Sequence, residues 1–404
     1  MKCLKINIIM KIEDVLMCMR KDYSVFLRRF TNRYPYLAQK KFKHYGKVKA
    51  SAYSLLLRII VMILRLFCLN KPPKYVFQGL RHIHLIKVLP PSDVMIMGGN
   101  NEFFYCHKMG YRFHWAGYLG KCFELFYFAK KKGALSDAVL FVRKYFTSPP
   151  GLYKYLFLWE DTQPIGLSLS LALRDVVGIN VVCIAHGYDY AFSEKTLCVD
   201  GSNCRFNFVY DAAQAKLVNN LFNNSPVFVL GLPCEVNPAN TLKSKVVLVE
   251  HTGIAAGVEY IISVYHFLKL YCILEHAGFD VIYRARPGGD TAYARSMFSN
   301  VYDGDKFELF AEGRMIFMGF SSTLLYEAKV FGNIVVGLDT SELFDQRNFD
   351  VDMTVSADEY KDLPSLLLTL MSKRLAHPVC NVDSLSSRFF KCIESIEGYN
   401  KNHG

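Results

Sequence analysis

From about residue 93 the chain alternates between two rhythms: short runs of β-branched and aromatic residues ending in Gly, Asp or His, then longer stretches of helical period. The runs DVMIMGG (93–99), YLFLWED (155–161), INVVCIAHG (179–187), FNFVYD (206–211) and VFVLG (227–231) predict one set of buried strands. A second set reads KVVLVEHTG (245–253), DVIYRARPGG (280–289), RMIFMGF (314–320) and NIVVGLD (333–339). Helical patterns fall at about 164–177, 211–223, 256–277, 322–331, 358–374 and 384–398. Buried strands alternating with helices predict parallel sheets with right-handed crossovers. The two sets are joined near GLPCEVNPANTLKSK (231–245). The expected fold is therefore α/β, with two doubly wound, Rossmann-like domains at 91–235 and 245–380 facing a cleft. The last helical stretch, within 381–404, is long enough to pack back on the body.

Residues 1–90 follow neither rhythm. Their most apolar run, SLLLRIIVMILRLFCL (54–69), is interrupted by Arg58 and Arg65. It is also shorter than the ~20 residues a spanning helix needs. Those arginines, seven residues apart, share one helical face. The charge balance sharpens the picture. This segment holds 19 of the 48 basic residues but 3 of the 36 acidic ones, leaving 29 against 33 for the remainder. The whole excess behind the net charge of +12 therefore lies in the first ninety residues. A basic amphipathic helix of this kind suits an anionic membrane surface, at ~1 kcal/mol per basic residue. The competing reading is a core helix with a solvated polar face. Nucleic acid is not expected as a partner, because no aromatic-basic motif is present and the body is not basic. The twelve cysteines form no CxxC pair, as expected for free thiols in a reducing cytoplasm. The start MKCLKINIIMKIED meets charge too early for a secretory leader.

In open parallel sheets ligands bind beyond the carboxyl ends of the strands. That rule selects Glu160, Asp161, His186, Asp189, His251, Thr252, Arg284, Arg286, Ser321 and Ser322. The two serines stand where a buried strand meets a helix, in MGFSSTLLYEA. One can cap the helix; the other is free for a phosphate already facing backbone N–H groups. Glu327, one turn along, can accept from a ribose or base. Arg284 and Arg286, at alternate positions of a strand, share one face and suit a phosphate or carboxylate. Plain capping and a structural salt bridge are the competing readings of these two motifs.

A strand ending in a basic Pro turn, then a later strand ending in Ser-Ser before a helix with Glu-Ala, resembles bacterial GT-B-type glycosyltransferases. The resemblance is to those using CMP-activated sugars: sialyltransferases, polysialyltransferases and capsule Kdo transferases. CDP-glycerol polymerases of teichoic-acid synthesis look similar in the same region. Arg286-Pro287 stands where the family has His-Pro. The resemblance implies a phosphate grip by Arg284, Arg286, Ser321 and Ser322, with Thr252 and Glu327 nearby. It implies a general base on the other domain, with Asp161 first, His186 second, and Asp189 and Glu160 behind them. It also implies an inverting, metal-independent transferase with no cofactor beyond a nucleotide-sugar donor, most simply CMP-sialic acid. The acceptor would be a lipid-linked oligosaccharide of O-antigen, lipooligosaccharide or capsule synthesis, met at the cytoplasmic face of the inner membrane. A CDP-polyol phosphotransferase, a Kdo transferase and a non-catalytic polysaccharide assembly or export factor are the rival readings.

Overall fold

The computed structural model describes residues 73–115, 153–161, 164–185, 187, 203–221, 225–236, 241–250, 258–286, 291–320, 322–339, 349–374 and 383–403. The apolar run 54–69, expected as an interfacial or core helix, lies outside them. No helix among the described residues is long and apolar enough to cross a membrane. The two hydrophobic rhythms become two all-parallel sheets, each in its own compact unit.

The first sheet contains β1 (Tyr75–Gln78), β2 (Val94–Gly98), β3 (Arg112–Trp115), β4 (Tyr155–Leu158), β5 (Asn180–Ile184), β6 (Phe206–Val209) and β7 (Val227–Val229). Its helices are α1 (Ile83–Lys87), α2 (Asn100–Met109), α3 (Pro164–Leu173) and α4 (Ala212–Leu221). The strand order β3-β2-β1-β4-β5-β6-β7 makes β1 central, with Tyr75 opposite both Val94 and Tyr155. This domain therefore begins well before residue 91. KPPKYVFQGL hides a four-residue strand inside the basic segment, where charge rather than periodicity dominates the pattern.

Side chains alternate across the pleat and so feed two cores. Tyr75, Phe77, Tyr155, Phe157, Phe206 and Phe208 line one face; Val76, Leu156, Leu158, Val181 and Cys183 line the other, beneath Leu169 and Leu173 of α3.

The second sheet contains β8 (Leu242–Val249), β9 (Asp280–Arg284), β10 (Val301–Tyr302), β11 (Arg314–Gly319), β12 (Ile334–Asp339) and β13 (Met353–Ser356), in the order β10-β9-β8-β11-β12-β13. Its helices are α5 (Val258–His276), α6 (Thr291–Met297), α7 (Lys306–Ala311), α8 (Thr323–Val330) and α9 (Leu363–Arg374). Val246, Leu248, Tyr283, Ile316, Met318 and Val336 pack against Val264, Phe267 and Tyr271 of α5. On the opposite face Phe317 meets Phe310, which stacks on Phe331 at 4.8 Å between centroids.

The last helix, α10 (Leu385–His403), belongs to the first domain. Leu385, Phe389, Cys392, Ile393 and Ile396 complete the aromatic face of that sheet. Arg388 holds the helix start. Its guanidinium donates to the carbonyls of Leu230 (2.7 Å), Leu232 (2.8 Å), Cys234 (2.8 Å) and Asp383 (2.9 Å). Gly231, at φ +78°, makes room, since a Cβ there would sit 2.5 Å from Arg388 Nη1.

Candidate functional site

Each sheet reverses its winding direction at one place, between β1 and β4 in the first and between β8 and β11 in the second. Crevices form beyond the carboxyl ends of strands at such switch points, and ligands bind there.

At the first, the paired acids follow β4, and both are buried. Glu160 accepts from Gln78 Nε2 at 2.6 Å, which ties the ends of the two switch-point strands together. Gly166 lets the first turn of α3 lie against that acid, since a Cβ there would come within 1.9 Å of the Glu160 carbonyl oxygen. Asp161, fully buried, accepts the backbone N–H of Asn203 at 2.7 Å and so anchors the entry to β6. His186 and Asp189 lie outside the described residues. Between them, the Gly187 carbonyl accepts from Gln214 Nε2 at 3.2 Å, while Gln214 Oε1 takes the Tyr210 N–H at 2.7 Å. Gln214 thus links the loop after β5 to the turn after β6.

In the second domain the two arginines have different environments. Arg284, only 4% exposed, donates to the carbonyls of Ala285 and Gly304 (2.9 Å for the latter), and its guanidinium lies 5.5 Å from the centre of the Tyr302 ring. It braces the edge of the sheet. Arg286 is exposed, two residues beyond the end of β9, and its backbone N–H donates to Glu250 Oε2 at 2.6 Å. Glu250 directly follows β8 and is buried. Desolvation raises its pKa, and the Arg286 N–H and the Arg286 and Arg284 charges oppose that rise.

Across the switch point, Gly319 brings β11 close to β8; a Cβ there would meet the Val249 carbonyl oxygen at 3.1 Å. Ser322 then caps α8, its Oγ accepting from Leu324 N at 3.3 Å. Ser321 and Thr252 lie outside the described residues, as does His251. Glu327 is buried on α8, and both its oxygens accept from Lys306 Nζ at 2.6 Å. The carboxylate expected to meet a ribose or base is thus ion-paired to α7.

Four polar residues that bond to these strand ends and the loops beside them escaped sequence reasoning: Gln78, Gln214, Glu250 and Lys306. For Glu250 the signal was present, since it is the first residue after the apolar run VVLV and the strand-end candidates begin one position later, at His251. The others act through partners 21 to 82 residues away, which no local pattern reveals.

No protein-family model and no curated protein matches the chain. Solved structures do. A glycosyltransferase from Rickettsia africae matches 82% of this chain and 99% of its own, at 11% identity and a TM-score of 0.50. The UDP-GlcNAc 2-epimerase from Neisseria meningitidis, bound to UDP-GlcNAc, matches 81% and 100% at 10% identity and a TM-score of 0.47. The wall teichoic acid polymerase TagF matches 89% and 100% at 8% identity, also with a TM-score of 0.47. Together with the two parallel sheets, the Rickettsia likeness identifies the fold as the two-domain, Rossmann-like GT-B type.

Proposed function

We propose that the chain is a glycosyltransferase that takes a sugar from a nucleotide-activated donor. The observation that carries this reading is the second switch point. There Arg286, on a turn fixed by Glu250, and the capped amino end of α8 stand at the carboxyl ends of strands of one sheet. A guanidinium and the free N–H groups of a helix start are complementary to phosphate oxygens. The donor's diphosphate or monophosphate sits there in this reading, and Ser321 and Ser322 supply hydroxyls.

The acceptor is served from the strand ends of the first domain, where His186 and Asp189 follow β5. Asp161 and Glu160, the sequence's acid pair, are buried and bonded to Asn203 and Gln78, which favours His186 or Asp189 as the base. Inverting transfer needs a base to take the acceptor hydroxyl proton as that oxygen bonds to the anomeric carbon. The bond to the donor phosphate breaks, and its electron pair leaves on the phosphate, neutralised by Arg286 and the α8 N–H groups. The charge is met by protein groups, so a metal-independent reaction without a further cofactor suffices.

The sequence resemblance favours a CMP-sugar, sialic acid above all, and a lipid-linked oligosaccharide acceptor of bacterial surface-polysaccharide assembly. The basic residues that precede β1 would hold the enzyme at the anionic cytoplasmic leaflet.

Isothermal titration with CMP, CDP and UDP tests the donor site. Selective cytidine binding supports the CMP reading, selective UDP binding moves the donor class, and no binding of any nucleotide leaves a non-catalytic assembly factor. Arg286→Ala should weaken the bound nucleotide by about ten- to a hundredfold, the worth of one charge-assisted contact. Mass spectrometry of products formed with membranes and a panel of nucleotide sugars then identifies the transferred sugar.

A further inference from the structure

Glu250 is the one carboxylate among the described residues that accepts the N–H of the Arg286 turn. It stands at the end of β8, a strand of the switch point, and is 7% exposed. An anion that engages Arg286 therefore arrives beside a buried negative charge already hydrogen-bonded to the same residue. Capping cannot account for this placement. The Arg286 N–H lies just past the strand end, and a backbone carbonyl or water would satisfy it without a charge.

We infer that Glu250 is a positioning residue of the nucleotide site, holding the Arg286 turn and exchanging its charge for a proton when a phosphate binds. The inference rests on the nucleotide reading of this switch point.

Three observations support it. First, the bond is short and direct, 2.6 Å to a backbone donor, so the carboxylate fixes the main chain at Arg286 rather than its guanidinium. Second, the neighbouring Arg284 is otherwise engaged. Arg284 points both terminal nitrogens at the carbonyls of Ala285 and Gly304, so it cannot swing to neutralise a new anion without breaking them. Third, burial already favours the protonated form of Glu250, opposed mainly by Arg286. When a phosphate draws on the Arg286 charge, that opposition weakens and a second negative charge adds to the effect of burial. The groups facing Glu250 among the described residues are Arg286 and Arg284 on β9 and its turn, and the Tyr283 hydroxyl, whose pKa is raised first by burial and then by Glu250.

Relative to the free protein, the bound protein carries more of the protonated acid. Binding takes up a proton, and affinity rises as pH falls from neutrality toward the free carboxyl's own range. A nucleotide phosphate also titrates, with a second pKa near ~6, so the effect is read as a difference between proteins.

Titration of wild type, Glu250→Gln and Glu250→Ala with CMP and UDP, each in two buffers of different ionisation enthalpy, gives the proton stoichiometry. The glutamine variant keeps an acceptor oxygen for the Arg286 N–H and should bind with the extra proton uptake removed. The alanine variant frees the turn and also loses the proton uptake, so it should bind about tenfold more weakly near neutrality, with the deficit widening as pH falls. Hydrogen exchange at the Arg286 amide, read without nucleotide, should accelerate in alanine and not in glutamine. Wild-type proton uptake retained in Glu250→Gln, or wild-type affinity in a folded Glu250→Ala, overturns the inference alone. Failure of the wild type to bind either nucleotide, with the amide effect intact, overturns the nucleotide reading and leaves Glu250 a structural acceptor.

Discussion

Arg388 is the residue whose loss should damage the first domain most. Its guanidinium makes four bonds to main-chain carbonyls: three in the segment leaving β7 and one at Asp383, just before α10. Burial lowers its pKa, the signature of a charge drawn out of water. Each bond to a charged group is worth roughly 1.5–3 kcal/mol net, but the freed carbonyls can partly rehydrate, so the contributions do not add. We expect Arg388→Ala to destabilise the domain by about 3–4 kcal/mol, at the upper end for single substitutions. For a domain of this size that lowers Tm by roughly 6–16 °C.

The chain offers a built-in reporter. Its two tryptophans, Trp115 and Trp159, both lie in the first domain, so tryptophan fluorescence in urea follows that domain's unfolding. Arg388→Lys keeps the charge without the planar fork and should recover about half the loss. Gly231→Ala should mimic the arginine variant in direction, because its φ of +78° is strained for alanine and the new Cβ would press on Nη1. An Arg388→Ala protein unfolding within ~1 kcal/mol of wild type would refute the assignment of α10 docking to this fork.

Lys306→Met should destabilise the second domain by about 2–3 kcal/mol by leaving Glu327 buried without its cation, and Lys306→Met/Glu327→Gln should recover most of it; calorimetry of wild type, both single variants and the double variant checks the coupling. His114 is buried with its pKa pushed down to about 4, so the folded state refuses a proton that the unfolded chain takes near 6.5. Stability of the first domain is therefore full above about pH 6.5 and falls as pH drops toward 4, by ~1.4 kcal/mol per unit; Phe at this position should flatten that decline in tryptophan-monitored urea melts. Glutamates at Lys40, Lys41, Lys43, Lys47 and Lys49 should abolish salt-sensitive co-sedimentation with anionic vesicles without changing nucleotide affinity, and equal binding of both proteins to neutral and anionic vesicles would return residues 54–69 to the core.

Much of the fold was legible because its strands are buried on both faces, and such strands read as apolar runs of fixed length ending in turn residues. Runs such as VVLV before Glu250 and MIFMG before Phe320 could hardly form anything else, and the helices between them follow from 3.6-residue periodicity. Strands β1, β3, β10 and β13 were missed for the converse reason. They have two to four residues each, and their context is charged or aromatic.

Strand order was beyond the sequence. That β1 lies between β2 and β4, and β8 between β9 and β11, depends on which crossovers pack together, and only that order creates the two switch points. The same holds for the polar contacts. Residue type and strand-end position nominated Arg284 and Arg286 as equals. Tertiary structure separated them, because Gly304 and Tyr302 arrive from another strand-turn unit to bury one, while Glu250 arrives from β8 to fix the turn that presents the other. Local sequence sets which groups a backbone can carry to a strand end. Which of them is buried, paired or left facing outward is decided by neighbours tens of residues away, since desolvation and hydrogen bonding act through space.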